Sequence, residues 1–394
     1  MVVCQYYYPE PFRHPDICEE LVRQGGHEVT VVTGVPNYPM GEIYAGYRKG
    51  GKRDEIINGV TVHRCFTIGR RRGVICRFLN YYSYALSSAG YVKRLGGDYD
   101  VVYVHQLSPV MMAHAAMQYK KKHGAPVLLY CLDLWPESLV AGGIRRGGAL
   151  YKVFHRISER IYRQADRILV SSRSFAGYFA REFGMADIAC LPQYAEAVFT
   201  PEQCRKAENG CIDLMFAGNL GTAQSVHTII GAAKLTAGIP NLRWHIVGDG
   251  TELDRLRSMA AGMEQVIFHG RSPLEEMPKY YAMADAMLVT LRKDPVLSLT
   301  LPGKVQSYMA AGKPVIGAID GETALVIEAA GCGVCSGAED AEALAENVRR
   351  FLGMDRRVLG QNARAYYDKH FEKQAFLHQL ERALSLCAAS GGPV

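Results

Sequence analysis

Short apolar runs of five to seven residues alternate with amphipathic stretches along nearly the whole chain, and no other feature restricts the fold as much. The runs are His27–Thr33, Asp100–Val104, Pro126–Tyr130, Arg167–Ser171, Asp213–Ala217, Leu242–Val247, Ala286–Thr290 and Pro314–Ala318. They are continuous rather than alternating, which suits strands of a parallel sheet covered on both faces. Between two of them Leu150, Val153, Phe154, Ile157 and Ile161 recur at helical spacing, with Lys152, Arg156, Arg160 and Arg163 on the opposite face. Strand–helix repetition over 394 residues predicts α/β architecture, doubly wound, in two Rossmann-like domains.

A composition break at Leu191–Cys211, where Pro192, Pro201, Asn209 and Gly210 interrupt any period, places the boundary. The expected division is 1–190, a linker at 191–210, a second domain at 211–363 and a helical segment at 364–394 that packs back toward the N-terminal domain. The first strand begins almost at Met1, as though short by a few residues. Ligands bind beyond the carboxyl ends of such strands. The loops of interest are therefore Tyr7–Asp16, His105–Pro109, Cys131–Ser138, Gly218–Ser225, Gly248–Glu252, Gly270–Ser272 and Leu297–Lys304.

Charge is lopsided. Residues 1–190 hold 25 Lys/Arg against 16 Asp/Glu, and the remainder 20 against 23. The excess concentrates between Arg48 and Arg94, which suggests an anionic partner. Eleven cysteines at no framework spacing read as reduced thiols of a cytosolic protein. No apolar run reaches the ~18–20 residues that span a bilayer. Cys332-Gly-Val-Cys335 lacks a second pair for zinc, and Gly248-Asp249-Gly250 stops short of a dinucleotide fingerprint.

Several segments in order resemble the retaining family-4 glycosyltransferases of GT-B fold, over essentially the whole chain. They are YYYPEPF (Tyr6–Phe12), GHEVTVVTGVPNYPMGEIYAGY (Gly26–Tyr47), DLWPES (Asp133–Ser138), FAGNLGTAQSV (Phe216–Val226), IVGDG (Ile246–Gly250), FHGRSP (Phe268–Pro273), YYAMADAMLV (Tyr280–Val289) and LPGKVQSYMAAGKPVIG (Leu301–Gly317). The resemblance is nearest to bacterial enzymes that add sugars, often amino sugars, to lipid-linked precursors of capsule, O-antigen or exopolysaccharide. It implies two domains facing across a cleft, the first binding acceptor and the second a nucleotide-sugar, UDP-linked by resemblance alone.

The residues agree with that reading. Gly218, Asn219 and Gly221 follow a strand and lead into a helix containing Val226–Leu235, a place where backbone N–H groups and the helix dipole meet an anion. A tight turn without ligand is the alternative. Gln224, Gly248, Asp249 and Gly250 complete the expected donor site. The family's Arg and Lys fall at Asn219 and Gln224, both uncharged here, so the cation must come from Lys304 and Arg271; otherwise Lys304 is merely solvated. The family's paired glutamates fall in register at Leu299 and Ser307. Glu322 either takes over one of their roles or offsets a helix dipole.

In the first half Arg13 and His14 stand in the loop after the first strand, and His105, Trp135 and Glu137 in loops further on, all as acceptor contacts. The family's histidine falls at Leu132. Asp133 beside it either orients the acceptor hydroxyl or caps the backbone at Trp135–Pro136. Retention without a protein nucleophile implies front-side displacement, with no metal and no cofactor beyond the donor. The segment Arg70–Arg94 reads as an amphipathic helix that sets Phe78, Tyr81, Tyr82, Tyr84 and Tyr91 on an anionic membrane at the cytoplasmic face, delivering the enzyme to a polyprenyl-diphosphate-linked saccharide. A core helix with a basic collar is the other possibility. A sugar-nucleotide epimerase or hydrolase, or a non-catalytic binding module, competes with the transferase; a nucleic-acid function lacks any fold signature.

Overall fold

The computed structural model describes residues 1–70, 73–141 and 143–390. Arg71 and Arg72 of the expected amphipathic segment, and the last four positions of the expected C-terminal one, lie outside the described residues. The chain forms two compact units. One contains Met1–Ser171, Ala176–Leu191 and the segment from Leu377 onward; the other contains Ser172–Phe175 and Pro192–Phe376.

The first unit is built on eight strands: β1 (Val2–Val3), β2 (Thr30–Gly34), β3 (Asp54–Ile57), β4 (Val60–Cys65), β5 (Val102–Gln106), β6 (Val127–Cys131), β7 (Arg167–Val170) and β8 (Ala189–Cys190). Their order is β3-β4-β2-β1-β5-β6-β7-β8, parallel except for β3. The second unit has six parallel strands, β9 (Ile212–Ala217), β10 (Leu242–Val247), β11 (Val266–Gly270), β12 (Ala286–Thr290), β13 (Val315–Ala318) and β14 (Gly333–Ser336), ordered β11-β10-β9-β12-β13-β14. β10 and β12 coincide with the expected runs, and the others differ by one to three residues at an end. β2 starts late because His27 and Glu28 stay exposed ahead of it. β5, β6 and β12 are buried at every position, as two-sided cover requires. On β9, Leu214 and Phe216 enter one core while Met215 and Ala217 enter the other.

The pair β3–β4 adds an antiparallel hairpin inside the basic stretch. Asn58 and Gly59 turn it with positive φ of 49° and 85°, as a two-residue hairpin loop needs. Part of the local charge is consumed there. Arg64, 2% exposed, bonds Glu55 at 3.1 Å and the Tyr8 carbonyl at 2.8 Å.

The expected linker is not a free connection, because Ala195, Phe199 and Cys204 are buried in the second unit's core. The helical segment expected from 364 belongs to two helices, Arg356–His370 and Lys373–Ser390. Asp355 starts the first by accepting the Arg357 and Val358 N–H groups.

Both sheets reverse direction of winding at one point, between β1 and β5 in the first and between β9 and β12 in the second. In the second unit the loops after β9, β10 and β11 are joined by main-chain bonds. Gly218 N–H donates to Val247, Leu220 to Asp249, Glu252 to Leu220 and Gly248 to Gly270, at 2.8–2.9 Å. A Cβ on Gly248 (φ 146°) would sit 1.8 Å from the Gly218 carbonyl oxygen, and one on Gly250 2.5 Å from the Leu220 carbonyl carbon. Only glycine permits this approach. Gly248→Ala is expected to destabilise the second unit by at least about 2 kcal/mol, from strain and displaced backbone together. Urea unfolding of the variant beside wild type measures the loss.

Candidate functional site

The second unit gathers its chemistry where the winding reverses, beyond β9 and β12. After β9 the chain turns at Gly218 (φ 152°), makes a single helical turn at Thr222–Gln224, passes Ser225 in left-handed conformation and enters the helix His227–Leu235. From the other side comes Lys304, in the first turn of the helix Gly303–Ala310. A Cβ on Gly218 would meet the Lys304 Nζ at 2.7 Å, so the ammonium lies directly on the turn. It donates to Gln224 Oε1 at 2.6 Å and stands 4.0 Å from the centre of the Phe216 ring. Among the described residues no carboxylate pairs with it. Burial pushes its ionisation down from 10.5 to about 7, because a charge among neutral partners has lost water without gaining a counter-ion.

Three residues that sequence reasoning missed fix this arrangement. Thr290, at the end of β12, donates its hydroxyl to the Gln224 carbonyl at 2.5 Å. Glu339 accepts the Ser225 hydroxyl and the Lys293 N–H, both at 3.1 Å. Glu196, from the supposed linker, accepts the Ser307 hydroxyl at 2.9 Å. That brings a carboxylate to one of the two positions where the family's glutamates are missing, one helical turn beyond Lys304. Strand order creates the first two contacts and the return of residues 192–204 to the second unit's core creates the third, so a linear pattern carries no sign of them.

Other expected donor residues differ. Asn219 is exposed and its amide covers Gly221, where a Cβ would lie 2.8 Å from Nδ2. Asp249 accepts the Gly250 N–H at 2.7 Å and so shapes the turn instead of meeting an anion. Arg271 is exposed, with no hydrogen bond or ion pair among the described residues. It follows β11, two strands from β9 and hence about 10 Å away, so the structure does not join it to Lys304. Glu322 opens the helix Glu322–Ala330, yet its carboxylate accepts the N–H groups of Arg173 and Ser174 at 3.1 and 3.0 Å and the Ser174 hydroxyl at 2.5 Å. It is a cap for another segment, not a replacement for the glutamates.

In the first unit four expected acceptor contacts are core residues. His14 is fully buried, bonded to the Tyr6 carbonyl, and burial lowers its ionisation to about 4. His105 is buried on β5 against the Tyr103 hydroxyl at 2.9 Å and is driven well below the usual imidazole range. Trp135 is 1% exposed and donates its indole N–H to Ser108 at 2.6 Å. Glu137, fully buried, accepts from Tyr151 at 2.7 Å, Arg146 at 2.9 Å and Tyr178 at 3.1 Å. Polar residue types in strand-following loops read as exposed; here each finds at least one partner inside, although His14 Nδ1 and Glu137 Oε2 are buried without one. Arg13 stands half-exposed ahead of the helix His14–Arg23.

Asp133, after β6, remains half-exposed and accepts the Ser138 hydroxyl at 2.5 Å. Burial raises its carboxyl, while the Ser108 and Ser138 hydroxyls and the Arg70 charge oppose the shift. Glu10 fastens the neighbouring loops. Its carboxylate accepts the N–H groups of Tyr7, Asn37 and Tyr38 at 3.1, 2.9 and 2.7 Å, and burial lifts it to about 7. That holds Tyr6, Phe12 and Tyr38 as one aromatic cluster, with centroids 5.2–5.8 Å apart.

The helix Val74–Val92 also corrects the expected aromatic stripe. Tyr81 packs edge-on to Trp135, Tyr84 donates to the Cys4 and Val32 carbonyls, Phe78 stacks on Phe154 and Tyr91 on His63. The outward face is Ile75, Leu79, Tyr82 and Leu86, exposed by 77, 49, 38 and 66%. Phe66 and Ile68 extend it, tied to the same helix through Ser87 and Ser83.

Comparison with known proteins agrees with both halves. Residues 14–192 match the glycosyl transferase 4-like domain family, and residues 212–354 match glycosyl transferases group 1. With two Rossmann-like parallel sheets in sequence, the chain belongs to the GT-B glycosyltransferases. It is 26% identical over 392 residues to the colanic acid biosynthesis glycosyl transferase WcaI of Escherichia coli K12, covering 92% of this chain and 93% of that one. It is 25% identical over 282 residues to the glycosyltransferase WbjE of Pseudomonas aeruginosa, covering 64% and 69%. Among solved structures, sucrose-phosphate synthase of Thermosynechococcus elongatus aligns with a TM-score of 0.75 at 18% identity, over 96% of this chain and 93% of that one. Anabaena HepE in complex with UDP-glucose aligns at 0.70 and 14%, over 98% of each.

A lysine ionising near 7 makes anion binding pH-dependent. The charged form attracts the anion, so affinity is lost as pH rises through 7. With UDP as a probe anion, calorimetry from pH 7 to 9 tests this: affinity falling toward about tenfold per unit is expected, with the slope absent in Lys304→Gln.

Proposed function

We propose that the chain is a retaining glycosyltransferase that moves a sugar, an N-acetylhexosamine among the candidates, from a UDP-linked donor to a polyprenyl-diphosphate-linked saccharide in cell-surface polysaccharide synthesis. The observation that carries this reading is the Lys304 ammonium lying on the Gly218 turn at the winding reversal, an anion site of one cation and main-chain N–H groups. The names of WcaI and WbjE favour a bacterial glycan, and HepE's complexes favour UDP.

In this mechanism the diphosphate leaves as an oxocarbenium-like sugar forms, and the acceptor hydroxyl attacks the same face. Lys304 and the Asn219 and Gly221 N–H groups stabilise the charge that grows on the leaving oxygen, the Gly218 and Leu220 N–H groups being spent on Val247 and Asp249. Glu196, held beside Ser307 a turn beyond Lys304, is placed in this reading to receive a hydroxyl of the donor in addition to that of Ser307. Asp133 orients the acceptor hydroxyl, its raised carboxyl suiting it to accept a proton. Arg13 and Arg70 meet the acceptor's phosphates. The apolar face Ile75–Leu79–Tyr82–Leu86, flanked by exposed Arg77, Lys93 and Arg94, rests on an anionic bilayer at the cytoplasmic side and brings the site to its lipid acceptor.

Transfer of label from a panel of nucleotide sugars into membrane lipid extract tests the reading. Lys304→Ala should lower kcat by about 10²–10³, as for loss of one preorganised donor, and wild-type turnover would refute the assignment. For the membrane contact, flotation on anionic vesicles at low salt should be lost in a Leu79→Glu, Leu86→Glu variant. Equal flotation of the variant removes that surface from the proposal.

A further inference from the structure

Lys304 does not hold its place unaided. Its flexible side chain leaves the helix that follows β12, while the turn it covers follows β9. One side-chain hydrogen bond joins the two elements at the ammonium, the 2.6 Å contact to Gln224 Oε1. Gln224 is the rigid partner. Its N–H donates to Gly221 at 2.9 Å, its carbonyl accepts the Thr290 hydroxyl at 2.5 Å, and the carbonyl of Ala223 before it accepts the Arg292 N–H at 3.0 Å. Ser225 after it is pinned by Glu339. The backbone carrying the amide is thus fixed from three strands' loops, and the lysine is fixed by the amide.

The chemistry of the partner matters as much as its position. A carboxylate in its place would hold the ammonium more tightly but cancel its charge where an anion must arrive. An apolar side chain would leave the ammonium free to swing toward solvent, because a half-buried lysine gains by regaining water. A neutral acceptor orients the cation and leaves its charge unspent. The amide nitrogen of Gln224 donates to no group among the described residues, so two further N–H donors stand beside the ammonium.

Resting on the donor-binding reading above, we infer that Gln224 is a positioning residue: its side-chain carbonyl fixes the Lys304 ammonium over the Gly218 turn, for the diphosphate of the nucleotide, without neutralising it. Because lysine and glutamine stand end to end, the cation placed at the other end of the pair still reaches the same turn.

Three variants and two readouts test this. The variants are Gln224→Met, Gln224→Glu and the exchange Gln224→Lys with Lys304→Gln, compared with Lys304→Gln alone. The readouts are UDP affinity by calorimetry and the lysine Cε resonance of the ligand-free protein labelled with 13C-lysine, assigned by its absence in Lys304→Gln. Gln224→Met should weaken UDP ten- to hundredfold and move the Lys304 signal to the position of exposed lysines. Gln224→Glu should keep that signal dispersed yet weaken UDP at least as much. The exchange should recover at least tenfold of the affinity that Lys304→Gln loses, an outcome that a merely structural role for Gln224 does not produce. UDP affinity and a Lys304 resonance both unchanged in Gln224→Met would overturn the inference. Wild-type protein that binds no UDP would instead overturn the functional reading, and the resonance comparison would still show whether the amide holds the ammonium.

Discussion

An ammonium surrounded by neutral groups is costly to bury, and the second unit is arranged around that cost. The Phe216 ring and the Gln224 side-chain carbonyl each offer Lys304 a partial negative potential, and neither offers a full charge. The site therefore keeps its one positive charge available, at the expense of an ionisation lowered to about 7. A loop bearing its own arginine and lysine would not need this device. Here the loop from Gly218 to Ser225 is uncharged, and the cation arrives from a different element that strand order alone brings alongside.

The first unit solves a related problem with carboxylates and amides. Gln5, Asn80 and Asn37 pass hydrogen bonds between β1's loop, the helix Val74–Val92 and β2's loop, and Glu10 closes the same network on the main chain. Buried polar chains of this kind specify one arrangement of loops because each unmade bond is expensive. The aromatic cluster of Tyr6, Phe12 and Tyr38 and the half-exposed Asp133 owe their positions to it and to the loop after β6.

Architecture was legible because continuous apolar runs alternating with amphipathic stretches suit a parallel sheet covered on both faces; strand order, and with it the reversal point, came only with the structure. Gly218 and Lys304 were legible as a pair, since glycine before a helix and lysine at the start of another both suggest an anion. Thr290, Glu196 and Glu339 were not, because residues 46 to 114 positions apart from their partners meet only once the unit has folded. His14, His105, Trp135 and Glu137 were misread for the opposite reason: loop position suggested solvent, while the fold supplied hydroxyls and carbonyls to bury them. On the helix Val74–Val92 the tyrosines are interleaved with aliphatic residues at similar spacing, so periodicity left the phase open. Tyr84 turned inward because its hydroxyl finds two strand carbonyls there.

The glycine contacts beneath the Gly218 turn carry a consequence for where this part of the chain can vary. With the Gly218 carbonyl filling the space of a Gly248 side chain, and Leu220 that of Gly250, the three strand-end loops are geared together. An insertion in one displaces backbone that the others pack against, so the three loops tolerate change only together. Change is accommodated instead at the exposed tip at Asn219 or on the facing helix that carries Lys304, where a single replacement leaves the floor of the turn undisturbed.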